Sequence, residues 1–392
     1  QKSLYDSIFA PRLFYLKLRK GMEDRGFTCL EDLDPCLFVK KDCVAFSYVD
    51  DMCFFYRDQC VFDKIIKSFA DDGDQYNWEL TVEGSVETFL GIKIAKDEQD
   101  NSFSFLQTGL VDKILKDTDM TDCNSKPSPC DGGGKPLGAD KAGSPAKEKW
   151  SYPSILGMML YLASNSRPDI AFAVHQCARF SHAPKESHEK AIIRICRYLK
   201  GTRDKGIVFR PTSDVKVNCF VDSDWAGLFG TEDPHDPVCV KYRTGYVILL
   251  AGCPLMWVSK LQSLIATSTQ HAEYIALSTA CRDLIPIREL MLELSKSIPG
   301  LMKDIKFTMK STCFEDNAAC LALARLKRIT VQNRHIAVKY HWFRSHVLGS
   351  SHEDAYLDIV KVDSKDQQRI YGFTKNLSAE RFVAWLKLLC HW

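Results

Sequence analysis

Five acidic side chains stand out as candidates for chemistry: Asp222, Glu273 and Asp316 in the second half, and the adjacent Asp50 and Asp51 in the first. Asp222 closes an alternating stretch, Lys216-Val217-Asn218-Cys219-Phe220-Val221. Glu273 falls within the first turn or so of a long helical pattern, and Asp316 ends a strand directly before another helix. The carboxyl ends of strands are where α/β sheets present reactive groups. Three carboxylates drawn together in a low-dielectric site repel one another. Divalent cations relieve that repulsion, and all-oxygen ligands favour Mg²⁺ or Mn²⁺ over zinc. Two such ions about 4 Å apart can activate a water and stabilise a leaving oxygen in phosphodiester hydrolysis. The competing reading makes each acid a solvated strand end or a helix-start charge. Asp50-Asp51 sits between two apolar β stretches. Adjacent carboxylates at a hairpin tip can hold Mg²⁺ against the phosphates of an incoming nucleotide. A solvated Asp-Asp turn is the competing reading there.

The elements that must position these acids are readable from periodicity. Val44 to Val49 and Met52 to Tyr56 predict the two strands of a hairpin around the acidic pair. Val61 to Ala70 predicts a helix, with Phe62, Ile65, Ile66 and Phe69 at helical spacing. Phe89-Leu90-Gly91-Ile92-Lys93-Ile94 and Phe103 to Leu106 predict a further strand pair. From Asp122 to Lys149 the density of Gly, Pro, Ser and Lys excludes a continuous helix or strand and predicts a linker. Two or three helices follow between Tyr152 and Leu199. Then come strands at 216–221, Thr244 to Leu250 and Leu255 to Ser259, and a helix over Thr269 to Ser295. A strand at Ile305 to Met309 or slightly beyond, a helix from Asn317 to Leu326, a strand at Tyr356 to Val362 and a helix at Ala379 to Leu389 complete the chain. That order is an α/β pattern with a mixed sheet.

Composition narrows the classes. The 392 residues suggest two or three domains at roughly 150 residues each. Fifty-two Lys+Arg against 50 Asp+Glu give a net charge of +2, so a nucleic-acid surface must come from local placement of charge. Hydrophobic residues at 45% and charged residues at 26% exclude collagen-like, disordered and disulfide-miniprotein classes. The longest apolar runs, such as Tyr246 to Leu250, are far short of the ~18 residues that suggest a bilayer span. No charged-then-apolar leader follows Gln1, and the start reads as the middle of a domain, so a fragment of something longer is expected. The 16 cysteines are scattered and without ligand spacing, which predicts reduced, core-filling thiols rather than disulfides or a zinc site.

The sequence around the acids adds a resemblance. Val221-Asp222-Ser223-Asp224-Trp225-Ala226-Gly227, Arg243-Thr244-Gly245-Tyr246, Ala272-Glu273-Tyr274, Glu315-Asp316-Asn317 and Arg334-His335 to His341 follow in order. This resembles the RNase H domain of copia-type LTR retrotransposon polyproteins. The resemblance implies that Asp222, Glu273 and Asp316 bind two metal ions, with Asp224 the nearer alternative for the first. In the first half Ser3-Leu4-Tyr5, Pro11-Arg12, Asp34-Pro35 to Val39, Tyr48-Val49-Asp50-Asp51 and Phe89 to Ile92 look like the palm-to-thumb portion of the same family's reverse transcriptase. Asp50 and Asp51 are then catalytic metal ligands, and Phe89 to Ile92 is similar to the strand that grips the primer. Arg167-Pro168-Asp169 and Arg197-Tyr198-Leu199-Lys200-Gly201 resemble the connection between the two enzymes. The implied fold is multidomain, α/β and α+β. It comprises a reverse transcriptase palm/thumb fragment at 1–121, a linker at 122–149, connection helices at 150–210, and an RNase H-like mixed sheet with flanking helices at 211–392. The implied cofactor is Mg²⁺ or Mn²⁺. The implied partners are an RNA–DNA hybrid, a template RNA and a primer, with no membrane, and the location is a cytoplasmic particle with the nucleus as a second. Arg197, Lys200, Arg334 and Lys339 are candidate phosphate contacts, with solvated helix faces as the competing reading. His335, His341, Trp225 and Trp257 read as structural.

The chain departs from the family in three places. The family's fourth acid, in an A-D-I-F-T-K run, falls here on Ile370 or Tyr371 of Arg369-Ile370-Tyr371-Gly372-Phe373-Thr374-Lys375, with Asp366 a weak substitute. The Gln that contacts the nucleotide sugar falls on Phe9, in Tyr5-Asp6-Ser7-Ile8-Phe9-Ala10. The family's first polymerase Asp and its fingers lie upstream of Gln1. Polymerisation by this chain alone is therefore not expected. The rivals are a decayed copy that at most binds nucleic acid, and an unrelated metal-dependent hydrolase.

Overall fold

The computed structural model describes residues 8–70, 75–76, 78–132, 136–147, 149–224, 227–299, 303, 306–308, 310–328, 330, 333–349, 355–363 and 368–392. Ser3 to Ser7, Trp225-Ala226 and Asp366 lie outside them. The chain forms two compact units: Gln1–Val86 with Ile285–Phe307, and Glu87–Leu284 with Thr308–Trp392.

In the first unit α1 (Ala10–Asp24), not evident from periodicity, starts with Pro11 in its first turn, where the missing N–H costs nothing. A four-stranded antiparallel sheet follows in the order β1 (Thr28–Cys29), β2 (Leu37–Lys40), β3 (Cys43–Tyr48), β4 (Asp51–Tyr56). The expected hairpin is present: Tyr48 pairs with Asp51 across the two-residue loop Val49-Asp50. α2 (Gln59–Phe69) is capped by the Asp58 carboxylate, which accepts from the Cys60 N–H. Leu18 and Met22 of α1 pack with Phe38, Cys43 and Ala45 of the sheet and Ile65 and Phe69 of α2. Leu294 and Ile298 pack near Val39 and Val44.

The second unit begins with a four-stranded antiparallel sheet: β5 (Thr88–Phe89), β6 (Ile92–Asp97), β7 (Ser102–Leu106) and, from far along the chain, β8 (Ile207–Phe209). The run Phe89 to Ile94, expected as one strand, is instead a tight hairpin. Leu90 and Gly91 both take positive φ (50° and 72°), and Phe89 pairs with Ile92. That turn needs two left-handed residues, and apolar patterning does not register it. α3 (Thr108–Asp117) follows, and then no helix or strand among the described residues of 122–149. Even so, that stretch is tied down: Arg197 Nε donates to the Asn124 carbonyl and the Lys126 N–H donates to the Arg197 carbonyl.

α4 (Tyr152–Asn165), α5 (Ala171–Ala178) and α6 (Glu186–Gly201) share one core with Val247 and Leu249 of the sheet that comes next and with Phe373 and Trp385 of two later helices. Buried within this unit, Arg167 clamps Asp169 with two guanidinium nitrogens while Tyr198 donates to the same carboxylate.

The strands after a short β9 (Asp214–Val215) are β10 (Val217–Asp224), β11 (Arg243–Leu250) and β12 (Cys253–Leu261). α7 (Thr269–Ser297) carries Pro286 inside it, and β13 (Lys306–Phe307) follows. The strand expected at Ile305 to Met309 is resolved only as β13, since 305 and 309 lie outside the described residues. The strand that joins the large sheet is β14 (Ser311–Glu315), with β15 (Leu357–Lys361) beside it. The order is β12-β11-β10-β14-β15. β10 pairs antiparallel with β11 and parallel with β14. α8 (Ala318–Arg325), α9 (Gln368–Thr374) and α10 (Ala379–Leu389) complete the unit. All sixteen cysteines are free. Among the described residues no helix is long and apolar enough to cross a membrane.

Candidate metal centre

β10 and β14 are parallel neighbours, so their carboxyl ends emerge at one edge of the sheet. β10 runs three residues further than the sequence predicts, to Asp224, so Asp222 lies inside the strand and not after it. Asp316 directly follows β14. Its neighbour Asn317 caps α8, accepting from the Cys320 N–H at 2.9 Å, which fixes the turn that leaves the strand. Glu273 lies in the second turn of α7. Gln262 Nε2 donates its two hydrogens to the Ala272 carbonyl and Thr244 Oγ1 and lies 3.3 Å from Ser223 Oγ, so one amide ties α7 to β11 and sits against β10. The outcome is convergence. One carboxylate oxygen from each of Asp222, Glu273 and Asp316 lies within 4.8 Å of those from the other two.

Asp222 and Glu273 are buried, at 3% and 4% exposure. Among the described residues Glu273 Oε2 has no hydrogen-bond partner. Burial, and then the neighbouring charges of Glu315, Asp222 and Asp316, push the Glu273 carboxyl up to about 11. Burial also raises Asp222, against the pull of Lys375 and the Thr374 hydroxyl. An unpartnered carboxylate oxygen in a cluster of buried acids is costly unless a cation compensates it. An all-oxygen donor set of this kind fits Mg²⁺ or Mn²⁺. Asp224, the alternative to Asp222, is outside this group. It lines a small cavity of about 50 Å³ with Arg243, Lys241 and Gln176.

Several residues at the site carried no assigned role in the sequence reading. Glu315 is fully buried; its Oε1 accepts from the Asn317 N–H, and its Oε2 has no partner among the described residues. Being next to Asp316 was the only available signal. Thr374 Oγ1 donates to Asp222 Oδ2 at 2.5 Å, and Lys375 Nζ lies 3.7 Å from the same oxygen. Both belong to the run that lacks the fourth acid. They arrive because α9 packs on the sheet, where Ser259 Oγ donates to the Phe373 carbonyl, and against α10, whose Trp385 Nε1 donates to the Arg369 carbonyl. Gly245 pairs with Asp222 in the neighbouring strand, and a Cβ there would meet Thr374 Cγ2 at 2.5 Å. The glycine of the Arg243-Thr244-Gly245-Tyr246 run is thus what lets α9 close on Asp222.

The acidic pair of the first unit is different. Asp50 and Asp51 are both exposed, and among the described residues no third carboxylate joins them in a ligating group. Val49, beside them, holds φ at 56°, a conformation a β-branched side chain resists.

The basic candidates divide. Arg197 is half-buried on the Asn124 carbonyl, whereas Lys200, Arg334 and Lys339 are exposed. Phe9 is 69% exposed at the start of α1. His341 is buried against Tyr274, whose hydroxyl lies 2.9 Å from Nδ1, and exposed His335 meets Thr267. Half-buried Trp257 donates to the Ala163 carbonyl against the main core.

Residues 1–131 match the family described as "Reverse transcriptase (RNA-dependent DNA polymerase)". The chain is 27% identical over 376 residues to the retrovirus-related Pol polyprotein from transposon TNT 1-94 of Nicotiana tabacum, covering 93% of this chain and 26% of that protein. It is 28% identical over 371 residues to the Pol polyprotein from transposon RE1 of Arabidopsis thaliana, covering 94% and 23% respectively. An uncharacterized mitochondrial protein of Arabidopsis thaliana is 32% identical over 204 residues, 51% of this chain and 78% of that one. The chain thus spans about a quarter of the Pol polyproteins it matches. No solved structure matches it.

Proposed function

The chain belongs to the copia-type retrotransposon Pol polyproteins and carries a reverse transcriptase region, and from that premise we propose that residues 211–392 are a metal-dependent ribonuclease H acting on the RNA strand of RNA–DNA hybrids. The observation that carries this reading is the convergence of Asp222, Glu273 and Asp316 from two neighbouring parallel strands and a helix. The five-stranded mixed sheet with helices around it agrees with the resemblance. Mg²⁺ or Mn²⁺, when bound, would lower the pKa of water and stabilise charge on the leaving oxygen. The three carboxylates would hold it. Gln262 and Asn317 keep their elements in register, and Thr374 fixes one oxygen of Asp222. Exposed Lys200, Arg334 and Lys339 are the proposed phosphate contacts.

RNA-directed DNA synthesis is the nominal activity of 1–121. Asp50 and Asp51 alone, without a third carboxylate among the described residues, do not support it in this chain.

A second reading has its own observation. Ile370 or Tyr371 stands where the family has an acid, and Ile370 is fully buried, which favours a hybrid-binding module without catalysis. A hybrid-cleavage assay of the full chain with Mg²⁺ or Mn²⁺ separates the two. Cleavage that disappears in Asp222→Asn and in Glu273→Gln supports the enzyme. Hybrid binding without cleavage supports the module. Cleavage indifferent to both substitutions refutes the assignment of the site.

A further inference from the structure

We infer that Lys375 is a built-in cation of the acidic site, and that it restricts the site to a single divalent ion and weakens that ion's binding. The inference rests on the metal-site reading above. The family's run predicts an anion near Ile370 or Tyr371. The run keeps its closing Thr-Lys and lacks only the acid, and the structure brings that lysine to the carboxylates. Lys375 Nζ lies 3.7 Å from Asp222 Oδ2 and 4.2 Å from the centre of the Tyr371 ring, so one of the two residues at the lost acid's place cradles the ammonium. The Lys375 N–H donates to the Tyr371 carbonyl at 2.8 Å, closing the end of α9 and fixing where the side chain leaves it. Thr374 Oγ1 donates to the same Asp222 oxygen. That oxygen therefore faces a hydroxyl and an ammonium on the α9 side. The partnerless carboxylate oxygens of the cluster, Glu273 Oε2 and Glu315 Oε2, belong to α7 and β14.

An ammonium this close repels any dication placed beside Asp222; the Lys375 side chain is 42% exposed, so solvent screens part of that repulsion, while the Asp222 side chain it faces is buried. It also supplies part of the charge compensation the cluster needs. A second ion would have to displace Lys375 and would find one acid fewer than the family provides. One divalent ion, held mainly by Glu273, Asp316 and the other oxygen of Asp222, is the arrangement these positions favour.

The test is calorimetric titration of the full chain with Mn²⁺, alongside Lys375→Gln, Lys375→Arg and Glu273→Gln, with thermal melts confirming that each variant folds. The expected result is one Mn²⁺ per wild-type chain, about tenfold tighter binding in Lys375→Gln, and wild-type affinity within about twofold in Lys375→Arg, which keeps the charge. A folding effect of the side chain would not follow charge in this way. Two Mn²⁺ per wild-type chain, or equal affinity in wild type and Lys375→Gln, overturns the inference while leaving the metal site standing. Mn²⁺ binding unchanged by Glu273→Gln, or absent from both wild type and Lys375→Gln, overturns the metal-site reading and the inference with it.

Discussion

Two groups of carboxylates in this chain follow opposite construction rules. Asp50 and Asp51 are neighbours in sequence at the tip of the β3–β4 hairpin, and both face solvent. Asp222, Glu273 and Asp316 are separated by 51 and 43 residues of chain and meet within 4.8 Å, two of the three buried. Adjacent acids on a hairpin are hydrated and screened, so nothing in their surroundings demands a cation. Converged acids have lost water and face one another, and their charge must be neutralised by protons, by Lys375 or by a metal. Convergence under burial, rather than the number of acids, is what makes the triad the candidate metal centre.

The largest expected contrast is in activity. Asp222→Asn and Glu273→Gln should each lower hybrid cleavage by about a hundredfold or more, in line with removing one preorganised electrostatic group. Asp50→Asn and Asp51→Asn should leave cleavage as it was. Hybrid-cleavage rates at saturating Mg²⁺ measure both, and an equal loss from the hairpin acids would break the comparison.

A second contrast is in pH dependence. The Glu273 carboxyl rises from 4.5 to about 11 on folding, and Asp222 rises too. The folded chain therefore holds protons that the unfolded chain has released. The stability tied to them is full below about pH 4.5 and is lost as pH rises towards 11, by at most about 1.4 kcal/mol per pH unit for one group. Melting in EDTA should fall between pH 5 and 9, Mg²⁺ should offset the fall, and Glu273→Gln should flatten it. A metal-free melting temperature that climbs over that range would contradict the sign.

Gly245→Ala places a Cβ against Thr374 and Phe373. It should destabilise the second unit by about 1–3 kcal/mol and weaken Mn²⁺ binding, because α9 must retreat from Asp222. Denaturant unfolding and metal titration read the two effects. The smallest effect is expected on the hairpin. Val49→Gly removes an exposed β-branched side chain held at φ 56° and should stabilise the β3–β4 pair by about 0.5–1 kcal/mol, read from amide exchange of its backbone.

Much of the fold was legible because it depends on local periodicity. The β3–β4 hairpin, α7, β11 and α10 fall within a few residues of the alternation and helical spacing that predict them. What escaped depended on backbone conformation or distant packing. Phe89 to Ile94 reads as a strand because its apolar residues alternate, and only the positive φ of Leu90 and Gly91 folds it back. α1 escaped because much of its apolar surface is exposed, with Phe9 just before it and Leu13, Phe14 and Leu16 within it, leaving no clean stripe. α9 is a seven-residue helix held by Trp385 and Ser259, partners that spacing does not reveal.

The sequence by itself determined which residue types are present for metal chemistry, the order of the motifs that carry them, and the absence of an acid at 370 and 371. These are one-dimensional facts, and side-chain chemistry follows from them directly. The tertiary structure decided that Asp222 rather than Asp224 joins the group, that Glu315 lies buried beside it, and that Thr374 and Lys375 close on it from α9. Those outcomes depend on strand register, on the missing side chain at Gly245 and on a helix docked across more than a hundred residues of chain, distances over which sequence spacing carries no geometric information.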